Sequence, residues 1–284
     1  MKRIGVVGCG LMGSGIAEVC ARGSLDVIVH EANTGALEDG QRRIKRSLTR
    51  AVSSGRLNEE EGNAAVARIT FTTTIDDLAD RELVVEAITE NEAAKVEVFH
   101  RLDEVVTSEN AILASNTSSI PIMKLAMATR RPDKVIGIHF FNPVPVLHLV
   151  ELVSSLLTSA ETEEAARAFA GDQLGKKVIH SKDRAGFIVN ALLIPYILSA
   201  VRMLESGFAT SEDIDTGMVE GCAHPMGPLA LADLIGIDTT LAVAQSLYEE
   251  FKEPLYAPPP LLSRMAQAGL LGRKTGQGFY PYPG

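Results

Sequence analysis

The 284-residue chain is 46% hydrophobic and 22% charged, a globular composition long enough to bury a sizeable core and to form two domains. Its net charge of −9 argues against general binding to nucleic acid or anionic membranes, because the long-range field repels phosphates. Three scattered cysteines without a CxxC suggest neither a disulfide framework nor a metal site.

Residues 3–8, RIGVVG, form a short apolar run that ends in GCGLMG at 8–13 and continues as a helix to residue 21. The first strand begins too early for an export signal, so the expected compartment is a reducing cytoplasm. In this strand, turn and helix setting, Gly8 permits the tight turn and Gly10 lets a pyrophosphate approach the backbone. Gly13 allows close helix packing, and Leu11 and Met12 open the helix whose amino end faces the phosphates. A second strand, 26–31, closes on Glu31, an acid at the spacing of about 20 residues that dinucleotide sites use. Its carboxylate suits two free ribose hydroxyls and repels a 2′-phosphate, and no Arg or Lys follows before Arg42. That favours NAD over NADP, which the acid alone does not bar.

Residues 41–50, QRRIKRSLTR, carry five basic side chains and no acid. Helical periodicity stacks Arg42, Arg46 and Arg50 on one side and Leu37, Ile44, Leu48, Ala51 and Val52 on the other. The basic side is either a solvated face or an anion site for a phosphate-rich ligand. Asn58 and Glu61 then read as the capping box of another helix.

Strands at 69–72, 82–88 and 111–114, with a helix at 92–106, give the alternation of a parallel sheet. Glu90 lies at a strand's carboxyl end, where open α/β sheets bind ligands. The SNTSS cluster at 115–119 either caps the helix that Pro121 begins or offers hydroxyls to a ligand.

Residues 134–140 and 147–153 read as strands across a Pro143/Pro145 turn, and each holds one residue at odds with its apolar neighbours. A period of two places Glu151 on the face of Leu147 and Leu149, with His148 opposite. A carboxylate on such a face needs a partner, and the nearest candidate is His139 across the turn. The two are either a general base oriented by an acid or a satisfied core ion pair.

A helix at 161–174 and a last strand at 177–180 lead to a boundary at Asp183/Arg184. Residues 1–183 form one domain, and residues 184–284 a second, nearly all helical: 186–205, 211–220, 228–251 and 260–268, then a glycine-rich tail that packs back. The run at 186–201 contains Asn190 and Pro195 and is shorter than the roughly 20 residues a bilayer requires, so it reads as a buried helix. Asn190 must find partners there, on another helix or on a ligand. An exposed apolar helical face points to a homodimer through this domain. The fold class expected is α/β: a Rossmann-type, mostly parallel sheet domain followed by a smaller all-α domain.

Seven motifs converge: GCGLMGSGIA (8–17), VEAITEN (85–91), SNTSSI (115–120), GIHFFNPVPVLHLVE (137–151), GFIVNALLIPY (186–196), HPMGPL (224–229) and GRKTGQGFY (272–280). From end to end the chain resembles the short 3-hydroxyacyl-CoA dehydrogenases, above all their bacterial 3-hydroxybutyryl-CoA branch. The resemblance implies hydride transfer between an acyl-CoA substrate lying between the domains and NAD. It casts His139 as catalytic base, Glu151 as its partner, and Ser118 and Asn190 as contacts to the substrate or its developing oxyanion. It implies cofactor contacts at Glu90, Lys95, Ser118, Asn142 and Lys274, and coenzyme A contacts at Ser47 and Ser118. Relatives carry a lysine for coenzyme A where this chain has Ser54, which leaves Arg50 or Arg56 to supply that charge. His148 likewise replaces a usual lysine. One rival is a dehydrogenase of free 3-hydroxy acids or sugar acids on the same scaffold, which leaves the basic helix idle. The other is a non-catalytic NAD-binding protein, which sits poorly with a chain holding both His139 and Glu151.

Overall fold

The structure is a computed structural model that describes residues 1–282. The chain divides into two compact units, Met1–Asp183 and a second from Arg184 onward. The first is built from β1 (Arg3–Val7), α1 (Leu11–Arg22), β2 (Asp26–His30), α2 (Thr34–Ser53), α3 (Glu59–Ala67), β3 (Ile69–Thr72) and β4 (Leu83–Glu86). It continues through α4 (Glu92–Val105), β5 (Ile112–Ser115), α5 (Ile122–Ala126), β6 (Val135–Phe140), β7 (Leu149–Ser154), α6 (Ala160–Ala168) and β8 (Lys177–Lys182).

The eight strands form one sheet in the order β3-β2-β1-β4-β5-β6-β7-β8. Every residue of β4, β5 and β6 is buried, as mostly apolar strands covered on both faces should be, and the polar exceptions are Glu86, Ser115 and His139. The sheet is parallel except for β6 and β7, which run antiparallel. Their connection, residues 141–148, is far shorter than the dozen or so residues that a parallel crossover needs. It also consumes Leu147, expected in the strand: the amides of Val146 and Leu147 both turn back to Pro143 O, so β7 starts at Leu149.

The glycine turn after β1 leaves no room for side chains where the chain crosses itself. Gly8 has φ +96°, and a Cβ there would lie 2.7 Å from Ala87 O. A Cβ on Gly13 would lie 1.9 Å from Gly8 O, which is what allows α1 to pack directly over the turn. The capping box of Asn58 and Glu61 is present at the start of α3.

The second unit comprises α7 (Val189–Glu205), α8 (Ser211–Cys222), α9 (Pro228–Ile235), α10 (Ile237–Phe251) and α11 (Pro260–Gln267) around a core that includes Ile197, Val201, Leu229, Ile237 and Leu247. The helix expected at 186–205 starts later because Gly186 and Phe187 hold positive φ values of 73° and 49°. The one expected at 228–251 is two, bent by 98° at Gly236, whose φ of 107° no helix accommodates. The helix expected at 161–174 leaves α geometry after Ala168 for a π turn at Phe169–Gln173. Among the described residues, no single helix is long and apolar enough to cross a membrane.

The glycine-rich tail closes this unit on a buried acid. Asp233, 1% exposed, accepts from the amides of Phe279 and Tyr280, each at 2.9 Å, and from Tyr282 Oη at 3.0 Å. A Cβ on Gly278 would sit 1.9 Å from the same carboxylate, so only glycine lets the tail approach.

Candidate active site

The antiparallel register sets His139 of β6 directly opposite Glu151 of β7. Both are buried, and His139 Nδ1 lies 2.9 Å from Glu151 Oε2. An ionised carboxylate only accepts, so with Glu151 ionised and the ring neutral, Nδ1 carries the proton and Nε2 presents a lone pair. That lone pair faces Ser118 Oγ at 3.1 Å. The Phe141 ring packs against the imidazole, with centroids 4.6 Å apart and planes tilted by 56°. The arrangement can fix the tautomer of the ring from one side and leaves its other nitrogen facing a hydroxyl, which is what a general base requires.

Ser118 is held by a second set of charges. Glu90 Oε1 accepts from Thr117 Oγ1 (2.6 Å), Ser118 N (2.9 Å), Ser119 Oγ (3.0 Å) and Ser119 N (3.2 Å). Burial pushes the Glu90 carboxyl up, but Lys95 and these donors outweigh it and hold it below the usual range. Lys95, 1% exposed, places its ammonium 2.6 Å from Glu86 Oε1 and 3.4 Å from Glu90 Oε2. Glu86, fully buried, also accepts from Ser115 Oγ at 2.6 Å and Ile88 N at 2.7 Å. Sequence reasoning missed Glu86. Its signal was an acid ending an otherwise apolar strand, the same anomaly that drew attention to Glu151.

Replacing Lys95 by methionine keeps the stem and strands two carboxylates. Breaking a buried ion pair this way costs about 3–5 kcal/mol. Urea denaturation of Lys95→Met should show that loss, with Lys95→Met/Glu86→Gln recovering part of it. An unchanged midpoint would mean that water reaches the acids.

The remaining candidates are more dispersed. Glu31 Oε2 accepts from Cys9 N at 3.0 Å, which brings the acid to the glycine turn. Leu11 is 60% exposed at the start of α1. Asn142 is exposed where β6 ends, joined to Pro143 by a cis peptide bond. In the second unit, Asn190 is half-buried in the first turn of α7. Lys274 Nζ bonds both oxygens of Asp238, each at 2.6 Å.

On α2 the basic side chains divide. Arg43 turns inward and donates to Cys9 O (2.9 Å) and Ser14 Oγ (3.1 Å), tying the helix to the glycine turn. Arg42 pairs with Asp39 and Glu38. Arg46 and Arg50 line an open groove of about 720 Å³ along the helix. Ser47, expected at the coenzyme, stands near Glu18 of α1. Burial pushes that acid up, while Ser47, Arg22 and Arg56 oppose it. Arg56 donates through Nε to Ser54 Oγ at 3.0 Å.

Two family models match in tandem: residues 3–184 match the 3-hydroxyacyl-CoA dehydrogenase NAD-binding domain, and residues 186–282 match the C-terminal domain of the same enzymes. The chain belongs to the 3-hydroxyacyl-CoA dehydrogenase family. It is 56% identical over 282 residues to the 3-hydroxybutyryl-CoA dehydrogenase of Mycobacterium tuberculosis, covering 99% of each chain. It is 46% identical over 284 residues to that of Bradyrhizobium diazoefficiens, covering 100% of this chain and 96% of the other. The crystal structure of M. tuberculosis FadB2 superposes with a TM-score of 0.98 at 56% identity, over 100% of this chain and 99% of that one. The (S)-3-hydroxybutyryl-CoA dehydrogenase PaaH1 of Ralstonia eutropha gives 0.94 at 48% identity, over 100% of both.

The first unit of this family member fits a nicotinamide dinucleotide. A Cβ on Gly10 would meet nothing within 4 Å, which leaves the turn open to a ligand. The amino end of α1 carries no side-chain cap, so its amides are available to phosphate.

Proposed function

We propose that this chain interconverts 3-hydroxyacyl-CoA and 3-ketoacyl-CoA thioesters, with 3-hydroxybutyryl-CoA and acetoacetyl-CoA as the short-chain pair, using NAD. The observation that carries this reading is the line from Ser118 Oγ to His139 Nε2 and from His139 Nδ1 to Glu151. When bound, the nicotinamide supplies the acceptor for a hydride. His139 Nε2 takes the proton of the 3-hydroxyl as that hydride leaves C3. Glu151 keeps the lone pair on Nε2 and offsets the charge of the imidazolium that forms. Ser118, with Asn190 as a second donor, hydrogen-bonds the oxygen that becomes the ketone.

Gly8, Gly10 and Gly13 with Leu11 and Met12 seat the dinucleotide, Glu31 its ribose, and Glu90, Lys95, Asn142 and Lys274 its nicotinamide half. The carboxylate of Glu31 repels a 2′-phosphate, which supports NAD over NADP. Three free cysteines suit a reducing cytoplasm. Leu192 and Phe208, 73% and 78% exposed, support a homodimer through the second unit.

Comparing acetoacetyl-CoA with acetoacetate as oxidants of NADH tests the substrate class. Turnover of the thioester alone is expected, and equal turnover of the free acid would favour the rival 3-hydroxy acid dehydrogenase. Arg50 and Arg56 are both exposed cations able to meet the coenzyme, and Arg50 lines the groove along α2. Arg50→Ala should raise KM for acetoacetyl-CoA by up to about fivefold, the factor that an exposed charge pair of about 1 kcal/mol allows. KM for NADH should stay fixed, and an equal rise in both would remove Arg50 from the thioester site.

A further inference from the structure

The connection between the strands of His139 and Glu151 leaves β6 at Phe140, reverses, and enters β7 at Leu149. Val144 anchors it on α1: the residue is 2% exposed, and a Cβ on Gly15 would lie 2.9 Å from Val144 Cβ. The other anchor is a single ammonium. Lys176 Nζ donates to Val144 O at 2.6 Å and to Leu147 O at 2.7 Å.

Lys176 is itself fixed where the chain enters β8. Its amide bonds Ala170 O at 3.0 Å, and the next amide, Lys177 N, bonds His148 O at 2.7 Å. Among the described residues no carboxylate forms an ion pair with it. Burial, then the nearby Arg22, hold its pKa below that of an ordinary lysine, with Cys20 and Glu18 opposing. A half-buried lysine committed to two backbone carbonyls does more than serve solubility. Losing it would leave two carbonyls of a reversing loop short of a donor.

We propose that Lys176 is a positioning residue for the reaction: its ammonium pins the 141–148 connection and so sets where Phe141 and Asn142 stand beside His139. The inference rests on reading Asn142 as a nicotinamide-side contact. Phe141 touches the imidazole directly, so displacement of the loop also moves the base. Small displacements of this kind are costly, since misplacement by about 1 Å can reduce a rate about a hundredfold.

Three variants test this. Lys176→Met keeps the apolar stem and removes both bonds, Lys176→Gln retains one amide donor, and Lys176→Arg retains charge and donors. In Lys176→Met, kcat for acetoacetyl-CoA reduction should fall and KM for NADH should rise, each by roughly tenfold, with KM for the thioester unchanged. Lys176→Arg should restore most of both, and Lys176→Gln should fall between. Hydrogen exchange gives a reading independent of activity: in Lys176→Met and Lys176→Gln the amides of Val146 and Leu147 should exchange faster, while those of β6 and β7 hold. Unaltered exchange at 146 and 147, or a lowered melting temperature with unaltered kinetics, would overturn the proposal. Should the parent enzyme fail to reduce acetoacetyl-CoA, the functional reading falls, and the exchange measurement still decides the role of Lys176.

Discussion

His139→Gln should abolish reduction of acetoacetyl-CoA while leaving NADH binding, followed by fluorescence titration, within about twofold of the parent. The substitution is chosen because glutamine repeats the hydrogen bonds of the imidazole. Its NH2 group can donate to Glu151 in place of Nδ1–H, and its carbonyl can accept from Ser118 in place of Nε2. The buried acid therefore keeps a partner, and the strand pair keeps its register. What disappears is the ring lone pair that would take the proton, a contribution of about 10²–10⁴ in rate. Activity within tenfold of the parent would show that another group takes the proton. Lost NADH binding would show that the histidine holds the cofactor.

Glu151→Gln should lower kcat by about 10²–10⁴ with a far smaller change in either KM, the scale seen where an acid orients a catalytic histidine. The carboxylate can only accept, so it dictates the tautomer. An amide can donate or accept, and when it donates to Nδ1 the ring carries its proton on Nε2, facing Ser118. In that form His139 has no base to offer the substrate hydroxyl. The variant also removes the counter-charge of the imidazolium from a fully buried position, where little water can replace it. Nitrogen-15 chemical shifts of His139 would report the tautomer directly. If kcat falls while the shifts still show a proton on Nδ1, tautomer control is not the cause, and loss of the counter-charge is left to explain the defect. An unchanged kcat would reduce Glu151 to a core ion-pair partner.

Much of the fold was legible because local signals agreed with one another. The glycine turn lay between an apolar strand and a helix, and the alternation of strands and helices from Asp26 to Ser115 required a mostly parallel sheet. His139 and Glu151 could be paired because each breaks an apolar alternation and only a short turn separates their strands. Glu86 was not singled out because nothing near it in sequence explains it: its partners Lys95 and Ser115 arrive on another helix and another strand. Ser47 carried no signal of its own in the residue pattern of its helix, and its place at the coenzyme came from the resemblance alone. The break at Gly236 was read through because Ile235 and Ile237 continue the apolar pattern, and one glycine costs a helix only about 1 kcal/mol. The role of Lys176 was invisible for a related reason, since its acceptors are carbonyls, which no side-chain pattern records.

The dependence of Asp233 on Phe279, Tyr280 and Tyr282 has a consequence for how the protein is made. On the ribosome the sheet unit has all its strands once β8 has emerged, and it can fold while synthesis continues. The helical unit finishes later: until residues 279–282 are clear of the exit tunnel, Asp233 has no donors from the tail and is left to water, so the last packing step of this unit waits for the end of synthesis.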